Sequence, residues 1–176
     1  FGFRPSPNVE LSIRPGIGRD KNNAQWVTNV DEDGDGTNDR FLFGELISRT
    51  FDLSMRAHVG FTPNLTLQAY LQPFIAVGDY GKIKELARPE SYEFVPYTRL
   101  DLISNPDLSR RSLRGNMVIR WEYQPGSTLF VVWSQSRSAS FDVDNPEFRP
   151  FDNVKDSFAD DGQNIFLVKL NYWLGM

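Results

Sequence analysis

Apolar and polar residues alternate with a period of two along most of this chain, and that pattern decides what it can fold into. From Asn64 to Ala76, one parity reads Leu65, Leu67, Ala69, Leu71 and Ile75, while the other reads Thr66, Gln68, Tyr70 and Gln72. Side chains on a strand point alternately to its two faces, so such a run predicts a strand with one apolar and one polar face. Phe51, Leu53, Met55, Ala57, Val59 and Phe61 likewise oppose Asp52, Ser54, Arg56, His58 and Gly60. Leu113, Met117, Ile119, Trp121 and Tyr123 oppose Arg114, Asn116, Arg120 and Glu122, and Val9, Leu11 and Ile13 oppose Glu10, Ser12 and Arg14. Near the end, Phe166, Val168, Leu170 and Tyr172 oppose Leu167, Lys169 and Asn171. The pattern weakens in Leu129 to Ser138, where both parities begin apolar. Helical spacing fits none of these segments; only Gly81 to Glu90 has helical propensity, and it is expected to form a loop helix or a lumen-side plug.

The connections are of two kinds. Short turns are expected at Thr62-Pro63-Asn64, at Gln124-Pro125-Gly126-Ser127 and over Arg4 to Asn8. Long polar connections fill the alternate joints, from Val30 to Arg40, Gly78 to Arg111 and Ala139 to Gln163. A meander with tight turns at one end and large loops at the other has the arrangement of a bacterial outer-membrane barrel. The predicted fold class is therefore all-β, an antiparallel up-and-down meander of transmembrane strands with short periplasmic turns and long extracellular loops. Six crossings are expected: Asn8 to Val30, Arg40 to Phe61, Asn64 to Val77, Ser112 to Tyr123, Thr128 to Ser138 and Gln163 to Leu174. The first two exceed the roughly 9 to 11 residues that cross a bilayer, so their hairpin should project beyond the membrane. Phe3, Phe61, Trp121, Tyr123, Tyr172 and Trp173 sit beside the short turns or the C-terminus, where an aromatic girdle belongs.

Six strands fall short of the roughly eight in the smallest such barrels, and open edges cannot face hydrocarbon. Residues 1–176 thus read as one barrel segment, the C-terminal part of a larger barrel closed by further strands of the same protein or by neighbouring chains. The absence of an initiator Met before Phe1 fits an excised segment. A soluble β-sandwich also alternates and also uses Gly and Pro turns. Against it stand Arg14, Arg56, Arg114, Arg120, Glu122 and Lys169, which lie on the polar parity inside runs longer than the roughly 5 to 6 residues of most strands.

Composition removes other classes. Lys+Arg 19 against Asp+Glu 23 leaves a net charge of -4, which disfavours nucleic acid as a partner. With no Cys and one His, His58, neither a thiolate metal cage nor a two-His zinc motif can be built. The longest apolar run, Leu129 to Trp133, is far below the roughly 20 residues of a membrane-spanning helix. The sequon Asn64-Leu65-Thr66 sits at a tight turn and carries no meaning in a periplasm. Asp101, Asp107, Asp142, Asp144, Asp152, Asp156, Asp160 and Asp161 read as solvated loop charge rather than as glycosidase pairs, so no catalytic residue is assigned and no enzyme is expected.

One motif points to a ligand. The tip of the long hairpin reads Asp31-Glu32-Asp33-Gly34-Asp35-Gly36-Thr37-Asn38-Asp39, with Asp31, Asp33, Asp35, Thr37 and Asp39 as candidate metal ligands. Alternating carboxylates with glycines that let the chain turn are what a Ca²⁺ loop requires, and the spacing resembles thrombospondin type 3 and dockerin-like repeats. The twelfth position is Leu42, where an EF-hand supplies a bidentate Glu, so Glu45 or backbone carbonyls would have to complete a site of weak affinity.

Three stretches carry a wider resemblance: Phe41 to Phe94 (FLFGELISRTFDLSMRAHVGFTPNLTLQAYLQPFIAVGDYGKIKELARPESYEF), Leu113 to Ser138 (LRGNMVIRWEYQPGSTLFVVWSQSRS) and the ending NIFLVKLNYWLGM. Together they resemble the C-terminal barrel region of the bacterial proteins grouped as domain-of-unknown-function family 5916. The resemblance implies a parent protein with a secreted N-terminal β-sandwich similar to carbohydrate-binding modules, followed by an outer-membrane barrel. It transfers no catalytic residue. The functional expectation is a bacterial outer-membrane anchor or pore, with lipid as a partner and glycan as a further one; the alternative is a soluble extracellular binding domain with a calcium-stiffened loop.

Overall fold

The computed structural model describes residues 1–141 and 146–175. The strands are β1 (Gly2–Ser6), β2 (Val9–Val30), β3 (Arg40–Thr62), β4 (Leu65–Leu86), β5 (Phe94–Pro96), β6 (Leu108–Gln124), β7 (Ser127–Phe141) and β8 (Gly162–Asn171). All pair antiparallel in one 8-stranded sheet of order β1-β2-β3-β4-β6-β7-β8, with β5 added to the far end of β4. The meander is up-and-down, as the alternation of short and long connections requires. Its ends, β1 and β8, do not pair with each other, so the sheet stays open.

Register carries the alternation from strand to strand. Val9, Val59, Leu67, Ile119, Val131 and Val168 stand opposite one another in a single row across the sheet. Leu11, Ala57, Ala69, Met117, Trp133 and Phe166 form the next row on the same face. A slip of one residue would turn a whole strand over, so one continuous apolar face specifies the pairing. The opposite face carries the rows through Glu10–His58–Gln68 and Ser12–Arg56–Tyr70–Asn116.

The short turns sit at Pro7-Asn8, Pro63-Asn64 and Pro125-Gly126. Gly126 has φ +77°, the left-handed value that the third residue of a Pro-Gly turn requires, and a Cβ there would lie 3.0 Å from that of Trp173. The first short connection is tighter than its sequence suggests, because Phe3 pairs with Leu11 and Ser6 with Val9, extending the sheet by β1.

Two expectations about the long connections need correction. Gly81 to Leu86 is no loop helix: β4 continues through it, pairing Ile83 with Gly44 and Glu85 with Leu42. Helix-forming Lys, Glu and Leu are overridden because β3, which begins at Arg40, offers an unpaired edge to this segment. β2, β3 and β4 therefore run 22, 23 and 22 residues, and a three-stranded extension, not a hairpin alone, projects past the bilayer-length part of the sheet. The second correction is α1 (Pro150–Ser157), inside a connection expected to be irregular. Pro at the first helical turn and Asp152 beside it favour a helix start, since the missing N–H costs nothing there and the carboxylate faces the positive end of the dipole.

Two small cores result. α1 lies over β4, β6 and β7 on the apolar face, where Ile75 and Leu113 are fully buried, and Phe151 meets Phe51 at 6.0 Å between ring centroids. Each fully buried aliphatic side chain contributes about 1.5–3 kcal/mol. At the far end, Val30, Leu42 and Tyr97 pack with Ile83 and Ile103 beneath the connection between β4 and β6.

Candidate functional site

The acidic tip is organised by its own carboxylates. Asp31 Oδ1 accepts the Gly34 N–H at 2.7 Å and its Oδ2 accepts that of Gly36 at 2.8 Å. Asp33 Oδ1 accepts from Asp35 N–H at 3.2 Å, and Asp35 Oδ1 from Thr37 N–H at 2.7 Å. Gly34 and Gly36 both have positive φ, which lets the alternate carboxylates of Asp31, Asp33 and Asp35 swing inward. One carboxylate oxygen from each of Asp31, Asp33 and Asp35 lies within 4.8 Å of the others. The backbone N–H of Gly36, more than that of Gly34, holds the Asp31 carboxyl below the ordinary aspartate value.

The other two candidates stand apart from this trio. Thr37 enters the tip through its backbone N–H, and Asp39 closes the neck by accepting the Glu32 N–H at 3.2 Å while its own N–H reaches the Val30 carbonyl at 3.2 Å. Glu45 turns away, 3.7 Å from Lys21 Nζ, and Leu42 is fully buried in the core below. Sequence reading missed what anchors the neck. Arg40 Nε donates to Glu32 at 2.7 Å and its Nη1 lies 3.5 Å from Glu85, while Arg99, from the β4–β6 connection, lies 3.8 Å from Glu32. The hydrogen bond to Glu32 above all keeps the Arg40 guanidinium charged, raising its pKa.

The polar face offers a second candidate, a recess of about 590 Å³ lined by Glu10, Arg14, Arg56, His58, Gln68 and Tyr70. The Arg56 guanidinium lies 5.3 Å from the Tyr70 ring centroid, and Tyr70 O–H donates to Gln72 at 2.7 Å. Across the neighbouring pair, Asn116 Nδ2 donates to Ser134 at 2.8 Å. Mixed charge, amides and an aromatic ring make this a surface for water and polar solutes.

Some loop aspartates are structural rather than solvated. Arg111 grips Asp160 through two hydrogen bonds of 2.6 Å and reaches Asp156 at 3.3 Å, tying the end of α1 to β6. Asp107, itself buried, accepts the Tyr80 N–H at 2.6 Å, where β6 begins beside β4. Asp101 pairs with Arg99 at 3.3 Å. Asp142 and Asp144 lie outside the described residues. No local signal marks the Arg111–Asp160 pair, whose members are separated by 49 positions.

No curated protein and no solved structure matches this chain. A family model does, and it covers the two-faced strands, the short turns and the acidic tip alike: over residues 1–176, this chain belongs to the family described as Domain of unknown function (DUF5916).

Proposed function

We propose that this chain is a segment of a bacterial outer-membrane β-barrel, an anchor or pore whose apolar face meets lipid and whose polar face lines the lumen. The observation that carries the reading is the shape of the area on the apolar face that holds neither a charged nor an amide side chain. It runs from Val9 to Ile17 on β2, Phe51 to Val59 on β3, Leu65 to Val77 on β4, Leu113 to Trp121 on β6, Leu129 to Trp133 on β7 and Phe166 to Leu170 on β8. At about 3.3 Å per residue and a tilt of about 40°, the lengths on β2, β3, β4 and β6 span roughly 20 to 30 Å, close to the ~25 Å of outer-membrane barrels, with α1 rather than lipid covering the rim at Phe51, Ile75 and Leu113.

The far limit of this band is oblique. It lies at Ile17 on β2 but at Phe166 on β8, whose row reaches β2 at Leu11. That fall is about 20 Å along the strands over about 24 Å of sheet, an inclination of about 40°, and barrel strands tilt by about 35–45° to the membrane normal. A level membrane surface would cut tilted strands along such a line. A sandwich would instead cover the apolar face with a second sheet, and among the described residues all strands lie in one. Phe61, Trp121, Tyr172 and Trp173, exposed at the short-turn end, suit the near interface. Further strands, from the same polypeptide or from neighbouring chains, would pair with β1 and β8, because a lipid-exposed edge leaves backbone groups unsatisfied. The barrel would hold a glycan-handling module of the same polypeptide at the membrane.

Fractionation tests this. The intact protein should stay with outer membranes through high salt and require detergent for extraction; recovery of folded protein in the soluble fraction overturns the reading. The convergence of Asp31, Asp33 and Asp35 supports a second element, weak Ca²⁺ binding at the tip, completed by backbone carbonyls and water. Calorimetric titration of the detergent-extracted protein should show one weak calcium event that Asp33→Ala with Asp35→Ala removes; no event in the parent protein overturns it.

A further inference from the structure

Arg19 on β2 and Arg49 on β3 are directly opposed Cα partners, four pairs beyond the Leu53–Pro15 pair and the next pair on the same face after Ile17 and Phe51. Register therefore puts both guanidinium groups on the apolar face, just beyond its charge-free band. Like charges directly opposite across an antiparallel pair repel. Among the described residues nothing relieves this, since neither arginine makes an ion pair or a side-chain hydrogen bond there. Of the acids nearby, Glu45 pairs with Lys21, itself the next residue on this face, and Asp79, opposite Ile47 on the same face, forms no ion pair with Arg49. Asp20 and Asp52 belong to the other parity and face away. Beside the arginines, Ile17 is 78% exposed, so an exposed apolar surface ends abruptly at two unneutralised forks.

We propose that Arg19 and Arg49, with Lys21 beside them, form a clamp for the phosphate of an anionic lipid headgroup in the leaflet on the long-loop side. Guanidinium forks match phosphate oxygens bidentately, and one phosphate between two arginines turns their repulsion into two charge-assisted pairs. The adjoining Ile17 surface would take the start of an acyl chain, which distinguishes a lipid phosphate from a free one. This inference rests on the barrel reading above, since that reading puts the pair at headgroup level.

The test uses the intact protein, extracted in a neutral detergent and titrated with bis-phosphorylated lipid A, with the same lipid after enzymatic dephosphorylation, and with inorganic phosphate, bound lipid being counted by native mass spectrometry. The phosphorylated lipid should bind about tenfold or more tightly than the dephosphorylated one, and Arg19→Gln with Arg49→Gln should erase the difference. Arg110→Gln with Arg114→Gln, on the polar face, should leave it intact. Equal binding of the two lipids by the parent protein overturns the proposal, and that arm decides the matter even if the double variant fails to fold. Retained discrimination in a folded double variant overturns it as well. Full competition by inorganic phosphate at the lipid's own concentration overturns the lipid as occupant. A protein that requires detergent yet does not discriminate refutes the clamp alone, whereas a protein folded and soluble without detergent refutes the barrel reading and the clamp together.

Discussion

Met55→Arg gives the sharpest energetic test of which face meets lipid. Met55 lies midway between Phe51 and Val59 on the apolar face, opposite Ile13 on β2 and Leu71 on β4. At about 3.3 Å per residue and a tilt of about 40°, it sits roughly 10 Å inside either limit of the charge-free band, near the bilayer midplane. Arginine there should cost about 2–4 kcal/mol, and at the rim position Val59 about 0–1 kcal/mol. Gln68→Arg, on the polar face opposite His58 and Val118, should change stability by no more than about 0.5 kcal/mol. The assay is urea unfolding of the intact protein in lipid or micelles, followed by tryptophan fluorescence and by the heat-dependent shift in gel mobility. A cost of about 3 kcal/mol alters the folding equilibrium more than a hundredfold, well outside extrapolation error. Met55 and Val59 are both half-buried, so in a water-soluble fold they would respond alike. Equal costs at Met55 and Val59, or a Met55→Arg cost no larger than that of Gln68→Arg, would refute the reasoning.

Other outcomes follow from local geometry. Asp160→Ala should strip Arg111 of its two-point partner and cost about 1–3 kcal/mol, the lower end if water reaches the guanidinium, whose side chain is 19% exposed; faster proteolysis between 150 and 160 than in exposed Asp161→Ala would report the release of α1. Gly126→Ala forces a side chain onto a φ of +77° beside Trp173 and should lower stability by about 1–2 kcal/mol, seen as a lower melting temperature. Because the folded tip lowers the Asp31 pKa, its contribution is present above the ordinary aspartate pKa and is lost only as pH falls through the lowered value; a carboxyl NMR titration should find Asp31 taking up its proton below the ordinary aspartate value, and protonation at or above that value would contradict the hydrogen bonds from Gly36 and Gly34. Calcium should slow proteolysis within 31–39 and Asp33→Ala with Asp35→Ala should abolish that protection, whereas identical digestion with calcium and with chelator would contradict a metal at the tip.

The strands were legible because their signal is local. A period of two sustained over ten or more residues puts apolar side chains on one face of a strand and scatters them around a helix, and Pro63-Asn64 and Pro125-Gly126 punctuate it with residues that cannot continue a ladder. Where the reading failed, the deciding partner lay elsewhere in the chain. Gly81 to Leu86 carries helix formers, and only the length of β3, which supplies Gly44 and Leu42 as partners, makes it strand. α1 left a local trace in Pro150 and Asp152, but one masked by the polar residues around it. The tip carboxylates were legible as a motif, yet which of them converge depends on backbone turns at Gly34 and Gly36 that leave Thr37 and Asp39 in other roles. Arg111–Asp160 and the opposed Arg19 and Arg49 are products of register and tertiary packing, which one sequence does not display.

The central claim, that the apolar face meets lipid, is tested most directly by a nitroxide scan along β4 in the membrane-reconstituted intact protein, measuring at each position from 65 to 75 the relative collision rates with oxygen and with a water-soluble nickel complex. Residues Leu65, Leu67, Ala69, Leu71 and Ile75 share one parity, and Thr66, Gln68, Tyr70, Gln72 and Phe74 the other. Oxygen should dominate at the odd positions of the charge-free band below the rim covered by α1, with contact to the nickel complex or packed interior at the even ones, in strict alternation. Nickel access equal at both parities, or lipid contact on the Gln68 parity, would contradict the account.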